Sequence, residues 1–382
     1  MLGVDRRTER VGLIRTGCAR ELIDVMNWLL LFIPVAAGLE ALAPGRHLLI
    51  FAAAALAILP LARWLGLATE QLAVRLGEGV GGLLNATFGN AVELIIALAA
   101  LHAGLHDVVK ASIVGAIIGN MLLVLGDAML AAGLRRPEQH FNAAGARSEA
   151  TMLTLVAIAL ILPAAFQAAL GAKAAESLGK LSISISVVLL LIYLLYLAFT
   201  LITHSSLFAG SDPIEEGESH EPRWSLPRAA LVLAIATAGI AWMSEIMVSV
   251  IEPLTKEFSL SSVFVGVFVI AIIGSAAEHA TVIRAALKNR MDLSLSIAIG
   301  SSIQVALFVA PVLVLASLFV GPAPMDLAFP AGLVLTVLLA VLITGQVAGD
   351  GRSDWLKGAQ LLAVYLVLGL TFFFMPAASA SP

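Results

Sequence analysis

Eleven near-continuous apolar stretches, separated by short polar gaps, run along the 382-residue chain. Each approaches the ~20 residues that an α-helix needs to cross the hydrocarbon core of a bilayer. They fall at 27–43, 47–65, 83–104, 107–133, 148–170, 178–204, 227–250, 260–287, 292–320, 327–348 and 355–376. The pattern predicts an all-α integral membrane protein with about eleven transmembrane helices, the lipid bilayer being its first partner. Pro60, Pro163 and Pro311 lie inside spans and mark expected kinks, tolerated where neighbouring groups satisfy the freed carbonyls.

Polar residues inside these spans are few, and two of them stand in similar surroundings. Gly89-Asn90-Ala91-Val92-Glu93-Leu94 lies in the third span and Gly274-Ser275-Ala276-Ala277-Glu278-His279 in the eighth. The two glutamates are 278 − 93 = 185 residues apart. From Ala86 to Val124, ten of 39 positions match their counterparts at that offset, among them Gly89, Glu93, Asp107, Gly115 and Ile118. A carboxylate within a membrane span is costly and reads as a functional site. The offset carries the third span onto the eighth, an odd number of crossings, so the two copies enter the membrane from opposite sides. The expected architecture is therefore an inverted five-plus-five repeat, with the first span as an extra. Such repeats typify secondary transporters, whose sites lie at the repeat interface.

Composition agrees with this reading and orients it. The chain is 60% hydrophobic and 13% charged, against about 45–50% and about 25% in soluble domains. With the N-terminus in the cytoplasm, 17 of the 22 Lys and Arg residues fall on the cytoplasmic side. Only Arg46, Lys110, Lys173, Lys180 and Lys256 remain outside, which is the positive-inside pattern. The C-terminus then lies outside. The expected organisation is a basic N-terminus with the extra helix (1–46), a first repeat (47–204), a cytoplasmic acidic linker (205–226), a second repeat (227–376) and a short tail (377–382). The linker carries Asp212, Glu215, Glu216, Glu218, His220 and Glu221. It reads as a solvated connection, or as a segment that concentrates cations. The single cysteine, Cys18, leaves no intramolecular disulfide or thiol cluster. No cleavable signal and no nucleic-acid signature is visible. The Ala-, Gly- and Leu-rich composition points to a bacterial plasma membrane, with the oligomeric state left open.

The residues around the glutamates suit a hard cation. Asn85, Gly89 and Glu93 recur every four residues, hence on one helical face, and Asn90 sits three before Glu93, as Ser275 does before Glu278. Gly89 and Gly274 allow close packing and local unwinding. Ser112 and Asn120 in the fourth span, and Ser301, Ser302 and Gln304 in the ninth, add polar lining. Carboxylate, amide, hydroxyl and carbonyl oxygens together favour Ca2+, which takes 6–8 oxygens in flexible geometry, over Mg2+; Mn2+ stays open. Two carboxylates in low dielectric repel each other, so the doubly ionised empty site is the state least able to change sides. One divalent cation or two protons cancels the charge, which makes them alternative occupants. His279 reads either as a structural bond to a neighbouring helix or as a proton handler. Asp127 and Glu245 read as interfacial or ion-paired. No cofactor is expected.

These residues carry a resemblance. The segment Gly81 to Ile95, with its lead-in from Ala68 to Gly77, is similar to the first signature of the calcium/proton exchanger family, within the cation/calcium antiporter superfamily. Ile273 to Ala280, Lys288 to Leu293 and Gly300 to Gln304 resemble its second. The resemblance implies cytoplasmic cation efflux driven by protons, with Glu93 and Glu278 as central carriers. It implies supporting roles for Asn90, Asn120, His279, Ser301 and Gln304, and an acidic segment between the halves. Ser275 departs from the asparagine usual in that family. A sodium-driven exchanger of the same superfamily, an antiporter for another divalent cation, and a cation channel are the rivals. An enzyme is disfavoured, since Glu278-His279 has no second histidine at metal-binding spacing.

Overall fold

The computed structural model describes residues 26–76, 78–171, 175–204 and 224–375. The N-terminal arginines, Cys18, Lys173 and the acidic run 212–221 lie outside the described residues. The chain folds as α1 (Met26–Leu42), α2 (His47–Leu76), α3 (Glu78–Phe88), α4 (Ala91–His102), α5 (His106–Gly133), α6 (Ala143–Leu170) and α7 (Glu176–Thr203), then α8 (Leu226–Phe258), α9 (Ser262–Leu287), α10 (Met291–Ala316), α11 (Ala331–Ala348) and α12 (Trp355–Phe373). Nine of these, among the described residues, are long and apolar enough to cross a membrane. The expected first and third spans are instead short. The first is α1, and the third is divided between α3 and α4 at Gly89-Asn90. The protein is a helical multi-pass membrane protein.

Polar side chains set the helix starts. Asn142 caps α6 by accepting from the Ala144 and Gly145 amides (2.9 and 3.3 Å). Ser261 caps α9 through the Phe264 amide and Asp354 caps α12 through the Lys357 amide. Each satisfies donors that a helix start leaves unpaired. Left-handed residues turn the chain between helices, Ser259 (φ 55°) before α9 and Asn289 (φ 66°) before α10. The prolines do not break their helices: Pro60 lies inside α2 and Pro163 inside α6. Pro311 lies two residues after a π-helical turn, Val305–Val309, in α10.

The layers follow from which helices bury their surface. The hydrophobic windows of α5 and α10 are 83% and 78% buried, whereas those of α6, α7 and α12 are only 28% buried. Exposed leucines on the outer helices, such as Leu191, Leu194 and Leu195 on α7 and Leu366 on α12, present the apolar face that lipid requires. The two central helices are repeat counterparts, and both carry a π-turn at the matching place: Gly119–Val124 in α5 and Val305–Val309 in α10. Such turns leave the regular hydrogen-bond ladder and recur at functional sites.

Small residues let the halves approach. A Cβ on Gly115 of α5 would strike the Val267 backbone of α9, and one on Gly266 of α9 would strike Ala111 and the Val108 carbonyl of α5. The crossing is thus glycine against backbone from both sides, the close packing that membrane helices use in place of a hydrophobic drive. Contacts at the helix ends respect alternate crossing. Lys110 donates to Asp326 Oδ1 (2.7 Å) and the Ala328 carbonyl (2.8 Å) on one side. On the other, Arg136 donates to the Leu287 carbonyl (3.1 Å), and β1 (Gln139–His140) pairs antiparallel with β2 (Arg352–Ser353). This second side gathers Arg135, Arg136, Lys288, Arg290, Arg352 and Lys357.

Candidate functional site

The helix break between α3 and α4 creates the first half of the site. Asn90, at φ −103° and ψ 21°, precedes α4 outside helical geometry. Glu93 therefore falls in the first turn of α4, where a helix N-terminus favours negative charge. The same break separates Asn85, on α3, from Glu93, on α4, so the expected single face of Asn85, Gly89 and Glu93 does not form. Asn85 is exposed, and its carbonyl accepts the Gly89 amide (2.8 Å).

Gly274 differs from its counterpart: α9 stays helical through it, so the expected unwinding occurs only at Gly89. What Gly274 provides is room. A Cβ there would lie 3.0 Å from Glu93 Cγ and 3.3 Å from Cδ. The Glu93 side chain thus rests on the bare backbone of α9, one turn from Glu278. The crossing thus brings a carboxylate-bearing turn of each repeat together.

A hydrogen-bonded amide and hydroxyl chain backs them. Asn120 Nδ2 donates to Ser301 Oγ (2.9 Å), Ser301 Oγ donates to Asn90 Oδ1 (2.9 Å), and Asn90 Nδ2 donates to Gln304 Oε1 (2.5 Å). It joins α5 and α10 to the break before α4, and Asn90, Asn120 and Ser301 are all buried. Ser302 donates to the Ile117 carbonyl (3.1 Å). Those two residues are counterparts (302 − 117 = 185), so this bond joins equivalent positions of the two repeats. Ser275 turns back to the Ala271 carbonyl one turn earlier (2.9 Å). Ser112 donates to the Val109 carbonyl and, with Glu93, Ala116 and Ala271, lines a cavity of about 10 Å³, room for about one water. His279 Nε2 lies 3.2 Å from Asp127 Oδ2 of α5. It takes the interhelical partner that sequence allowed, and Asp127 takes its basic neighbour.

Four buried oxygens at this centre have no partner: Glu93 Oε1 and Oε2, Glu278 Oε2 and Asn120 Oδ1. All are acceptors when the glutamates are ionised. An unpaired buried acceptor costs about 1–3 kcal/mol, and more when charged, so the centre calls for positive charge or protons. Among the described residues no cluster of three or more His, Cys, Asp or Glu side chains could hold a metal. The buried oxygens without a partner at the centre belong to two carboxylates and one amide.

Fold and site describe a helical multi-pass membrane protein with a pair of buried carboxylates where its two halves pack. The chain belongs to the family described as sodium/calcium exchanger protein, which matches residues 46–202 and 228–374, once in each half. It is similar to the Ca(2+)/H(+) antiporter of Aphanothece halophytica, 44% identical over 362 residues and covering 91% of this chain and 96% of that one. It is likewise similar to the Ca(2+)/H(+) antiporter ChaA of Bacillus subtilis (strain 168), 40% identical over 90% of this chain and 99% of that one. Among solved structures it resembles native YfkE, with a TM-score of 0.76 at 37% identity over 91% of this chain and 100% of that chain. The H+/Ca2+ exchanger CAX shares the fold, with a TM-score of 0.66 at 16% identity over 92% of this chain and 93% of that one.

Proposed function

We propose that this chain is a secondary antiporter that moves Ca2+ out of the cytoplasm in exchange for H+, with Glu93 and Glu278 holding cation or protons in turn. The observation that carries the proposal is the set of four buried, unpartnered acceptor oxygens at the repeat interface. Two unit charges ~4 Å apart at an effective dielectric of about 20 repel by about 4 kcal/mol. That is roughly a thousandfold penalty on the doubly ionised empty state. Ca2+ cancels both charges, and so do two protons. Neither state carries net charge through the apolar shell, while the empty ionised state does. Exclusion of that state couples the two ions without further machinery.

The oxygens are carboxylate, amide and hydroxyl, the hard donors Ca2+ prefers. The non-helical Asn90 and the paired π-turns supply backbone that rearranges at low cost as access alternates. The positive-inside pattern supports a cytoplasmic N-terminus and an outside C-terminus in a bacterial plasma membrane. The antiporters named above support the proton as counter-ion. The family description also names sodium, so sodium coupling is the second reading.

The test uses purified protein in liposomes with an imposed pH gradient. Ca2+ movement is expected to need the gradient and to ignore sodium. Glu93→Gln and Glu278→Gln are each expected to abolish it while the proteins still insert and run as single species. Flux that follows sodium would transfer the coupling to that ion. Flux indifferent to both gradients, or near-normal exchange in either variant, would refute the two-carboxylate mechanism.

A further inference from the structure

A third buried carboxylate lies away from the centre, and the proposed exchange does not use it. Glu149, near the start of α6, is only 2% exposed, and its Oε2 has no partner. It forms the floor of a separate cavity of about 10 Å³, walled by Gly145, Ala146, Asp292, Leu295 and Ser296, with exposed Asn142 at the mouth. Ser296 lies within hydrogen-bonding reach of Glu149. Asp292 is half-buried, and one of its oxygens accepts the Asn142 amide (2.6 Å). Arg147, the nearest base along the chain, is turned away onto the Ala143 carbonyl (3.2 Å).

Leaving the buried Glu149 Oε2 without a hydrogen-bond partner is costly in a low-dielectric setting. Here it faces a space of one ion or water, with a second carboxylate and a hydroxyl on the same wall. These are hard oxygen donors whose combined charge matches a divalent cation. The cavity opens on the side that gathers Arg135, Arg136, Lys288 and Arg290. The arrangement also occurs only once: α11, the counterpart of α6, contains no acidic residue. The cavity joins Glu149 of the first half to Asp292 and Ser296 of the second, and it has no symmetric copy on α11, so it is confined to one side of the molecule.

We propose that Glu149, Asp292 and Ser296 form a second, peripheral Ca2+ site, on the basic-loop side, that captures the cation before it reaches the central pair. Its occupancy is independent of Glu93 and Glu278, so it is measurable where they are disabled.

Equilibrium binding of radioactive Ca2+ to the purified full chain tests it. Two ions per chain are expected for the wild type, one for Glu149→Gln, one for the Glu93→Gln/Glu278→Gln double variant and none for the triple variant. Asp292→Asn gives an independent check and is expected to weaken the peripheral ion tenfold or more. Tb3+ as a Ca2+ substitute, excited through the tyrosines of the adjacent helix α7, Tyr193 and Tyr196, should give emission in the double variant that Ca2+ quenches by competition. Wild-type stoichiometry in Glu149→Gln and unchanged affinity in Asp292→Asn would overturn the proposal, as would the absence of bound Ca2+ in the double variant. Two ions bound by the double variant, falling to one on Glu149→Gln, would refute the central pair while leaving the peripheral site standing.

Discussion

Gly274→Ala tests the geometry of the centre without touching a charge. The added Cβ would sit 3.0 Å from Glu93 Cγ, 3.3 Å from Cδ and 3.5 Å from Oε1. Carbon atoms settle at about 3.5–4.0 Å, so Glu93 must withdraw by roughly 0.5–1 Å. Overpacking of this kind costs about 1–3 kcal/mol, and a binding site loses function once its groups move more than about 0.5 Å. Helix propensity acts the other way, since alanine is better than glycine by about 1 kcal/mol inside a helix. Fold stability should therefore hold while the site loosens. At 1.4 kcal/mol per tenfold, half-saturating Ca2+ should rise about tenfold, within bounds of roughly 5- to 150-fold. The assay is Ca2+ uptake by proteoliposomes over a Ca2+ series. Gly300→Ala is the control, because a Cβ there meets nothing within 4 Å; it should leave half-saturation within about twofold. Equal damage from both substitutions, or a Gly274→Ala protein of wild-type affinity, would refute the argument that Glu93 is positioned by the bare backbone of α9.

Other outcomes follow from the hydrogen bonds. Asn120→Ala removes the donor to Ser301 that begins the chain to Asn90 and Gln304. Ca2+ affinity in the uptake assay should fall about tenfold, the loss of one well-placed bond of about 1.5 kcal/mol; an unchanged value would show the chain to be idle. Ser275→Asn supplies at the second repeat the amide that Asn90 supplies at the first, in place of a hydroxyl turned onto its own helix. Half-saturating Ca2+ should drop, and an equal or higher value would count against amide ligation there. Asp350, in the loop before α12, has its carboxyl held below the usual range chiefly by the hydrogen bond from Lys357, at 2.6 Å. A depressed carboxylate contributes stability that is present above its unfolded-state pKa and lost as pH falls through its folded value. Asp350→Asn should therefore lower the Tm in detergent near pH 7 but not below the aspartate range; an equal change at both would assign the effect to packing.

Much of the architecture was legible in the chain. Long apolar runs specify membrane helices because lipid leaves no other way to satisfy the backbone. The 185-residue echo around Glu93 and Glu278 implied inversion, since an odd number of crossings separates the copies. The two glutamates were identifiable because an ionisable group among aliphatic residues has few structural excuses. What escaped the sequence was local geometry. Gly89 and Gly274 read alike, yet one ends a helix and the other lies in a continuous one. Their surroundings differ too: the Glu93 side chain lies against Gly274, whereas the Asn85 carbonyl is the atom nearest a Cβ placed at Gly89.

By itself, the sequence determined the membrane environment and the repetition of the two halves, and it raised the expectation of inversion and of a site at the two glutamates, all from period, spacing and the cost of charge in lipid. Tertiary structure alone decided which polar groups meet. It brought Asn90, Asn120, Ser301 and Gln304 into one chain, turned Ser275 away, joined His279 to Asp127, and buried Glu149 beside Asp292. Those pairings span up to 214 residues. Such contacts depend on helix crossing and rotation, which are set by side-chain packing across the whole bundle and leave no signature in any local stretch of sequence.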